Sequence, residues 1–319
     1  MDRAESIENW LKSQLNQDFV MKPASSDASF RRYYRIILDT QTYILMDAPP
    51  NLERIDHFIN ITNKLVIAEI NSPRITAFDD ELGLILMTDF GNQTLLDVLD
   101  GDNCYELYSK AIHSLLQIQT KVGTEGLQNY SEVLLVNEMS LFTQWYLAKF
   151  KKFKLEDQEL VHEIFSLISK KIYTRNKCFI HRDYHSRNLM FIAKNNLGIL
   201  DYQDAVKGPL TYDLVSLLKD AYIELDEEFV LDQSVRYWEK AKQSGLIINE
   251  DFSSFYEDFE WMGVQRHLKI LGIFSRLSIR DKKDQYLKDI PLVEKYLMIT
   301  SERYKSLYPL RKLLDKVIS

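Results

Sequence analysis

The chain has 319 residues, of which 45% are hydrophobic and 27% are charged, and its formal net charge is −7. This length and mixture predict a folded protein and exclude a disordered chain, while the negative charge argues against nucleic-acid binding as the main role. No membrane span or signal peptide is visible, so we expect a cytoplasmic protein with no membrane partner. The two cysteines, Cys104 and Cys178, provide neither a disulfide framework nor a metal site.

The first ninety residues have the pattern of a small antiparallel sheet. An amphipathic helix opens the chain, five short runs of β-forming residues follow, and one further helical pattern interrupts them. The strands are predicted at 19–24, 30–38, 42–46, 74–78 and 82–88, and the second helix at 52–66.

From Leu95 onward the pattern changes to long amphipathic helices. Two short apolar runs, 189–192 and 197–200, interrupt them and predict a hairpin. We therefore predict an α+β fold of two lobes, with one main helix on the small sheet and a ligand cleft between the lobes. The predicted parts are an N-lobe at 1–90, a hinge near 86–91 and a mainly helical C-lobe at 91–319.

The strongest functional signal is the segment His181-Arg182-Asp183-Tyr184-His185-Ser186-Arg187-Asn188, which fits the pattern H-R-D-x-x-x-x-N of phosphoryl-transfer catalytic loops. The predicted hairpin then returns the chain to Asp201. Phosphoryl transfer needs Mg²⁺ held by hard oxygen ligands and an oriented acceptor hydroxyl. We therefore predict Asn188 and Asp201 as Mg²⁺ ligands, and Asp183 as the base that accepts or orients the hydroxyl proton.

A second segment, Thr88-Asp89-Phe90-Gly91, contains the letters D-F-G of the kinase metal-binding motif. It precedes the catalytic loop, whereas the metal-binding aspartate of kinases follows it. Chain order therefore assigns the metal role to Asp201, and Asp89 is predicted to belong to the hinge or to cap a helix.

The catalytic loop, the hairpin and the later segment 208–218 resemble the aminoglycoside phosphotransferase-like kinases over nearly the whole chain. Within that superfamily, four stretches are similar to the kinases that phosphorylate N-acetylmuramate and N-acetylglucosamine at the anomeric 1-hydroxyl in cell-wall recycling. These stretches are 26–35, 46–50, 201–205 and 265–277. The resemblance implies a two-lobed, protein-kinase-like fold and an ATP- and Mg²⁺-dependent sugar kinase with the same base and metal ligands.

The resemblance also implies that residues 86–89, including Met87 and Asp89, lie against adenine. The turn at 25–29 contains no glycine, in contrast to kinases with a Gly-rich loop. We therefore predict that backbone N–H groups and the hydroxyls of Ser26 and Ser29 contact the phosphates.

The third strand carries Met46 where other kinases present the lysine that pairs with the α- and β-phosphates. Another cation must replace it. We propose Arg32, with Arg31 and Arg35 as rivals, because alternation along a strand sends successive side chains to opposite faces.

Substrate recognition is predicted from polar residues that follow the catalytic segment. Arg266, Lys269 and Arg276 share a helix face and could meet a lactyl carboxylate, while Asp204 and His185 are further candidates. Asp213, near the start of a helix, is predicted to cap that helix or brace the catalytic loop.

Two other functions stay open. A different small-molecule acceptor, such as an aminoglycoside, would normally demand an acidic pocket. A nucleotide-binding pseudokinase is suggested by the missing lysine and glycines, but it would have no need of the base. The expected partners are ATP and an amino sugar, with the protein acting as a monomer.

Overall fold

The computed structural model describes residues 2–26, 31–173, 177–192 and 196–318, with only the backbone of 25 and 26. The chain forms two compact units, one of Met1–Val98 with Asn188–Gln203 and one of Leu99–Arg187 with Asp204–Ser319. This division differs from the predicted one, because the first unit extends past residue 90 and includes the hairpin predicted for the C-lobe.

The beginning of the chain folds into an antiparallel sheet of five strands, in the order β1-β2-β3-β5-β4. Its elements are α1 (Arg3–Leu15), β1 (Val20–Ser26), β2 (Arg32–Ile37), β3 (Thr42–Asp47), α2 (Asp56–Ile67), β4 (Ile75–Asp79), β5 (Leu84–Thr88) and α3 (Leu95–Val98). The predicted sheet lobe is thereby confirmed.

The remainder is mainly helical, as predicted. Its helices are α4 (Cys104–Lys121), α5 (Glu132–Leu141), α6 (Gln158–Ile172), α7 (Thr211–Leu218), α8 (Glu227–Gln243), α9 (Phe252–Asp281), α10 (Ile290–Arg303) and α11 (Tyr308–Ile318), with a π-helical segment at Phe142–Phe150 and 3₁₀ segments at Asp284–Asp289 and Lys305–Leu307. Its strands are β6 (Lys177–Ile180), β7 (Leu189–Ile192), β8 (Asn196–Ile199) and β9 (Val206–Pro209). No helix in the described ranges is long and apolar enough to cross a membrane.

The core of the first unit lies between α1 and one face of its sheet. Ile7, Trp10 and Leu11 recur at helical spacing, so α1 presents them together to Ile36 and Leu45, and all five side chains are buried. Burial of such side chains contributes about 1.5–3 kcal/mol each before the entropic cost of folding. This face of the sheet is therefore closed by α1.

The β7–β8 hairpin belongs to the same unit because its backbone bonds to the segments after α2 and β5. The Asn71 carbonyl accepts a hydrogen bond from the Ile199 N–H at 2.9 Å, and the Asn71 side chain donates to the Leu197 carbonyl at 2.9 Å. Gly198 packs so closely on the ring of Phe90 that a Cβ there would lie 2.5 Å from it. These contacts fix the chain on either side of the hairpin, where Asn188 and Asp201 lie.

The second unit is built around α9, whose 30 residues include a long buried stretch. The backbone of α9 approaches the end of α5 closely at Gly272, where a Cβ would lie 2.4 Å from the carbonyl carbon of Leu141. We expect Gly272→Ala to lower the free energy of unfolding by about 2–4 kcal/mol, because the backbone of Leu141 would have to move. Urea unfolding followed by tryptophan fluorescence measures this change.

A matched control lies on the same helix. A Cβ at Gly263 would meet its nearest neighbour at 3.7 Å, an ordinary contact distance. Gly263→Ala is expected to be neutral or to stabilise the protein by about 0.5–1 kcal/mol, as helix propensity predicts. Equal destabilisation by both substitutions would contradict the packing argument.

Candidate active site

The catalytic loop leaves β6 and is anchored at both ends by buried carboxylates. The backbone N–H groups of His181 and Arg182 donate hydrogen bonds to the two Asp213 oxygens, at 2.7 and 3.0 Å. At the other end, the backbone N–H and the hydroxyl of Ser186 donate to one Asp220 oxygen, at 2.9 and 2.6 Å. These bonds fix the loop because an unpaired buried N–H is costly. The prediction that Asp213 braces the loop is confirmed.

Arg182 turns the loop with a left-handed backbone, φ +76°. This conformation costs a non-glycine residue about 1–2 kcal/mol and persists where the surroundings enforce it. The Arg182 carbonyl accepts a hydrogen bond at 2.7 Å from Nη1 of Arg266. The Arg182 guanidinium donates to the Glu138 carboxylate. The backbone that presents Asp183 is therefore held from both sides.

Asp183 keeps 39% of its side chain exposed, and its Oδ1 lies 3.8 Å from Nη2 of Arg266. Partial burial opposes its ionisation, but the positive charges of Lys269 and Arg266 lower the pKa of Asp183 to about 2. The group is thus a carboxylate throughout the neutral range. Because so weak a base is poorly matched to proton removal near pH 7, it is suited to orienting a hydroxyl and accepting its hydrogen bond.

A buried network of charged and tyrosine groups lies beside the loop. Glu138 accepts a hydrogen bond from Tyr130 and lies 3.1 Å from Nζ of Lys269, which in turn donates to the Tyr212 hydroxyl at 3.1 Å. Burial opposes the ionisation of Glu138, but the charge of Lys269 lowers its pKa. Lys269 and Arg266 are 7% and 4% exposed. A direct contact of either cation with a substrate, as predicted, would require it to exchange these partners.

Asn188 and Asp201, the predicted metal ligands, lie together at the ends of β7 and β8. The Asn188 Nδ2 is 3.1 Å from Oδ2 of Asp201, and Nε2 of Gln203 donates to Asp201 Oδ1 at 2.7 Å. Asp201 has φ +63°, a left-handed conformation that aspartate tolerates. One carboxylate and one carboxamide oxygen fit Mg²⁺, which commonly takes one or two protein ligands together with phosphates and water.

Arg35 and Asp89, which are both predicted candidates for nucleotide contact, are bound to each other. Arg35 donates to both oxygens of Asp89, at 2.6 and 3.0 Å, and to the Gly91 carbonyl at 2.8 Å. Burial opposes the ionisation of Asp89, but the bonds from Arg35 lower its pKa. Met87 is buried, whereas Arg32 is exposed. Arg35 therefore stabilises the segment after β5, and Arg32 stays the predicted replacement for the missing lysine.

The other rival, Arg31, forms an ion pair with Glu53. Of the predicted phosphate contacts, Ser29 and the side chain of Ser26 lie outside the described residues. Their role, like that of Arg32, remains a prediction.

The remaining substrate candidates are both in the second unit. His185 stands edge-on to the ring of Tyr222, with centroids 5.2 Å apart, and its buried Nδ1 has no hydrogen-bond partner in the described parts of the chain. Burial lowers the pKa of His185, so its neutral form is favoured. Asp204 is exposed, and its carbonyl accepts a hydrogen bond from Arg182 at 3.3 Å.

Sequence reasoning did not single out Glu138 or Asp220, although both are buried beside the loop. Each had a detectable signal. Glu138 is an acidic residue in the apolar pattern of α5, and Asp220 lies two residues after the apolar run that ends α7. A buried carboxylate of this kind requires a nearby partner.

The antiparallel sheet, the helical unit and the anchored H-R-D loop define a kinase-like phosphotransferase. Residues 20–244 match the sequence model of the phosphotransferase enzyme family. The chain belongs to this phosphotransferase enzyme family.

Curated relatives match over almost their whole length. The N-acetylmuramate/N-acetylglucosamine kinase of Neisseria meningitidis serogroup B is 39% identical, with 100% of this chain and 97% of the relative covered. The protein of the same name from Pseudomonas aeruginosa is 40% identical, with 98% and 96% covered.

Solved structures share the fold at much lower identity. Spectinomycin phosphotransferase, bound to AMP, superposes with a TM-score of 0.64 at 13% identity, covering 92% of this chain and 97% of that one. The choline kinase of Streptococcus pneumoniae gives a TM-score of 0.62 at 11% identity, covering 92% and 98%. These similarities support the predicted kinase-like fold.

Proposed function

We propose that this protein transfers the γ-phosphoryl group of ATP to the anomeric 1-hydroxyl of N-acetylmuramate and N-acetylglucosamine, as a step of peptidoglycan recycling. The observation that carries the proposal is the ionised and partly exposed Asp183, whose loop is held at Arg182, the residue before it. The Arg182 N–H donates to Asp213, and the Arg182 carbonyl accepts a hydrogen bond from Arg266. The full-length similarity to kinases named for these two sugars supports the choice of acceptor.

In this proposal Asp183 accepts a hydrogen bond from the sugar hydroxyl and directs its oxygen toward the phosphoryl group. Asn188 and Asp201 would hold Mg²⁺, which when bound neutralises charge on the phosphate oxygens. The enzyme would act as a cytoplasmic monomer on small molecules, without a nucleic-acid or membrane partner.

The charges around Asp183 help to choose among acceptors. Arg182, Arg266 and Lys269 all act on this carboxylate, although Glu138 pairs with two of them. A polycationic aminoglycoside would meet these cations beside the carboxylate, which disfavours it relative to a neutral or anionic sugar. A pseudokinase would have no use for a carboxylate kept ionised and partly exposed in this way.

The proposal is tested by measuring ADP release from purified protein with ATP and Mg²⁺ on four acceptors: N-acetylmuramate, N-acetylglucosamine, glucose and kanamycin. We expect turnover with the two N-acetylated sugars and phosphate at C1 in the phosphorus NMR spectrum of the product. Turnover with kanamycin alone would instead indicate antibiotic modification. Nucleotide binding without turnover of any acceptor would favour the pseudokinase.

A further inference from the structure

The two proposed acceptors differ in one group, the lactyl ether that N-acetylmuramate carries on C3. Its carboxylate is charged at neutral pH, and carboxylates are best bound by a cation that also donates hydrogen bonds, above all by arginine. C1 and C3 belong to the same small ring, so such a cation must lie near the residue that orients the 1-hydroxyl. The following inference rests on the proposed function.

Arg266 and Lys269 are poorly placed for this task. Arg266 donates to the Arg182 carbonyl at 2.7 Å, and Lys269 lies 3.1 Å from both Glu138 and the Tyr212 hydroxyl. Separating a buried cation from its partner costs several kcal/mol. Both side chains therefore serve the loop and the network rather than a passing ligand.

Arg187 has the properties that these two cations lack. Its side chain is 33% exposed, and its guanidinium lies 3.6 Å from the ring centre of Tyr222, a cation–π contact that fixes its plane. Its nearest carboxylate, Asp289, is 4.0 Å away, which is beyond hydrogen-bond distance. Within the described ranges, Arg187 makes no hydrogen bond. Its N–H fork is thus oriented and available.

The position of Arg187 also fits the sugar. It follows Asp183 by four residues on the anchored loop, and four residues span at most about 14 Å. His185, two residues after Asp183, stands edge-on to Tyr222 with centroids 5.2 Å apart, so the ring that holds Arg187 lies beside the same loop.

Aromatic rings continue from Tyr222 to Phe274, at 5.9 Å between centroids, and on to Tyr286 at 5.2 Å. An aromatic wall with a few polar groups is the usual lining of a small-ligand site. The polar groups here are the Arg187 guanidinium, Nδ1 of His185 and one Asp289 oxygen, and the last two are buried atoms to which the described residues supply no hydrogen-bond partner.

We propose that Arg187, held on the face of Tyr222, binds the lactyl carboxylate of N-acetylmuramate and thereby sets the preference between the two sugars. N-acetylglucosamine lacks the carboxylate and gains nothing from this contact. Asp289 keeps the guanidinium in place without occupying its hydrogen-bond donors.

The test is the ratio of kcat/KM for N-acetylmuramate to kcat/KM for N-acetylglucosamine. Arg187→Gln is expected to lower this ratio about 10- to 100-fold, the range set by a hydrogen bond to a charged group. The ratio for Arg187→Lys should lie between those for Arg187→Gln and the wild type, because lysine keeps the charge but lacks the paired N–H donors of arginine. Arg276 on α9 is the remaining cation that was predicted to meet this carboxylate. Arg276→Gln should leave the ratio unchanged.

A second measurement compares the acid with a modified sugar in the wild type and in Arg187→Gln. The methyl ester of N-acetylmuramate has no charge and one additional methyl group, so wild-type kcat/KM should be at least about tenfold lower for the ester than for the acid. In Arg187→Gln the acid and the ester should become equivalent.

An unchanged ratio in Arg187→Gln, or an equal loss on both sugars, would overturn this inference while leaving the proposed function intact. A selective loss in Arg276→Gln would move the carboxylate site to that residue and also overturn it. A wild-type enzyme inactive on both sugars would overturn the proposed function, and this inference with it.

Discussion

Asp183→Asn is expected to lower kcat for both sugars about 10²- to 10⁴-fold, the loss expected when the group that orients the acceptor hydroxyl is removed. Asparagine keeps the size of the side chain but presents an amide, so it no longer has a full charge with which to orient the hydroxyl. The KM for ATP should change little, because the change is confined to the acceptor side of the reaction. Steady-state ADP release measures both parameters.

Asp315→Asn, on the exposed side of α11, is the matched control and should retain full activity. The pKa of Asp183, about 2, means that this carboxylate stays ionised between pH 8 and pH 5. Titration of Asp183 should therefore cause no loss of kcat in a pH–rate profile over that range. If Asp183→Asn kept more than a tenth of the wild-type kcat, another group would have to orient the hydroxyl.

Asp201→Asn is expected to reduce kcat/KM about 10²- to 10³-fold and to raise the Mg²⁺ concentration needed for half-maximal activity at least about tenfold. The substitution removes the one charged ligand of the proposed metal pair. Asparagine tolerates the left-handed backbone at this position, so the fold should be kept. A titration of activity against Mg²⁺, with circular dichroism to check folding, measures the effect.

Gln203→Ala is the control that removes a hydrogen-bond partner of Asp201 but keeps Asp201 as the proposed metal ligand. Gln203 donates a hydrogen bond to Asp201 at 2.7 Å and is not predicted to bind the metal. We expect this variant to weaken metal affinity by about tenfold, the lower end of the effect of supporting residues, and to recover wild-type kcat/KM at saturating Mg²⁺, which Asp201→Asn should not do. An unchanged Mg²⁺ requirement in Asp201→Asn would refute the metal assignment.

The sheet was predictable because each strand carries its own signal. β2 and β3 were expected at 30–38 and 42–46 and are found at Arg32–Ile37 and Thr42–Asp47. β-Branched and aromatic residues fill both strands, and the turn between them is polar. Local propensity and tertiary pairing agree there.

β9 had no such signal. Its sequence is Val206-Lys207-Gly208-Pro209, and glycine and proline are poor strand formers. It is extended because it pairs with β6, in the register Ile180 with Val206. Likewise, the spacing of Phe142 to Phe150 predicted a helix but gave no indication of its π-helical turns, which depend on local backbone hydrogen bonding.

The candidate site also combines residues that the sequence predicts with residues that it does not. Asp183, Asn188 and Asp201 were predicted because the chemistry fixes their types and spacing along the chain. The network around Glu138 was not, because its partners lie far away in sequence: Gln265, for example, is 127 residues from Glu138. Arg266 and Lys269 were found through their shared helix face, but only their contacts show that they meet Glu138, Tyr212 and the loop backbone.

The two-segment composition of the first unit affects recombination between relatives. A single crossover near residue 98 would take the sheet from one parent and the 188–203 hairpin from the other. The hairpin's fit to Asn71 and Phe90 would then depend on residues that had never been selected together. Chimeric enzymes should fold more often when both segments come from the same parent, so natural exchange of acceptor specificity is expected to leave them together.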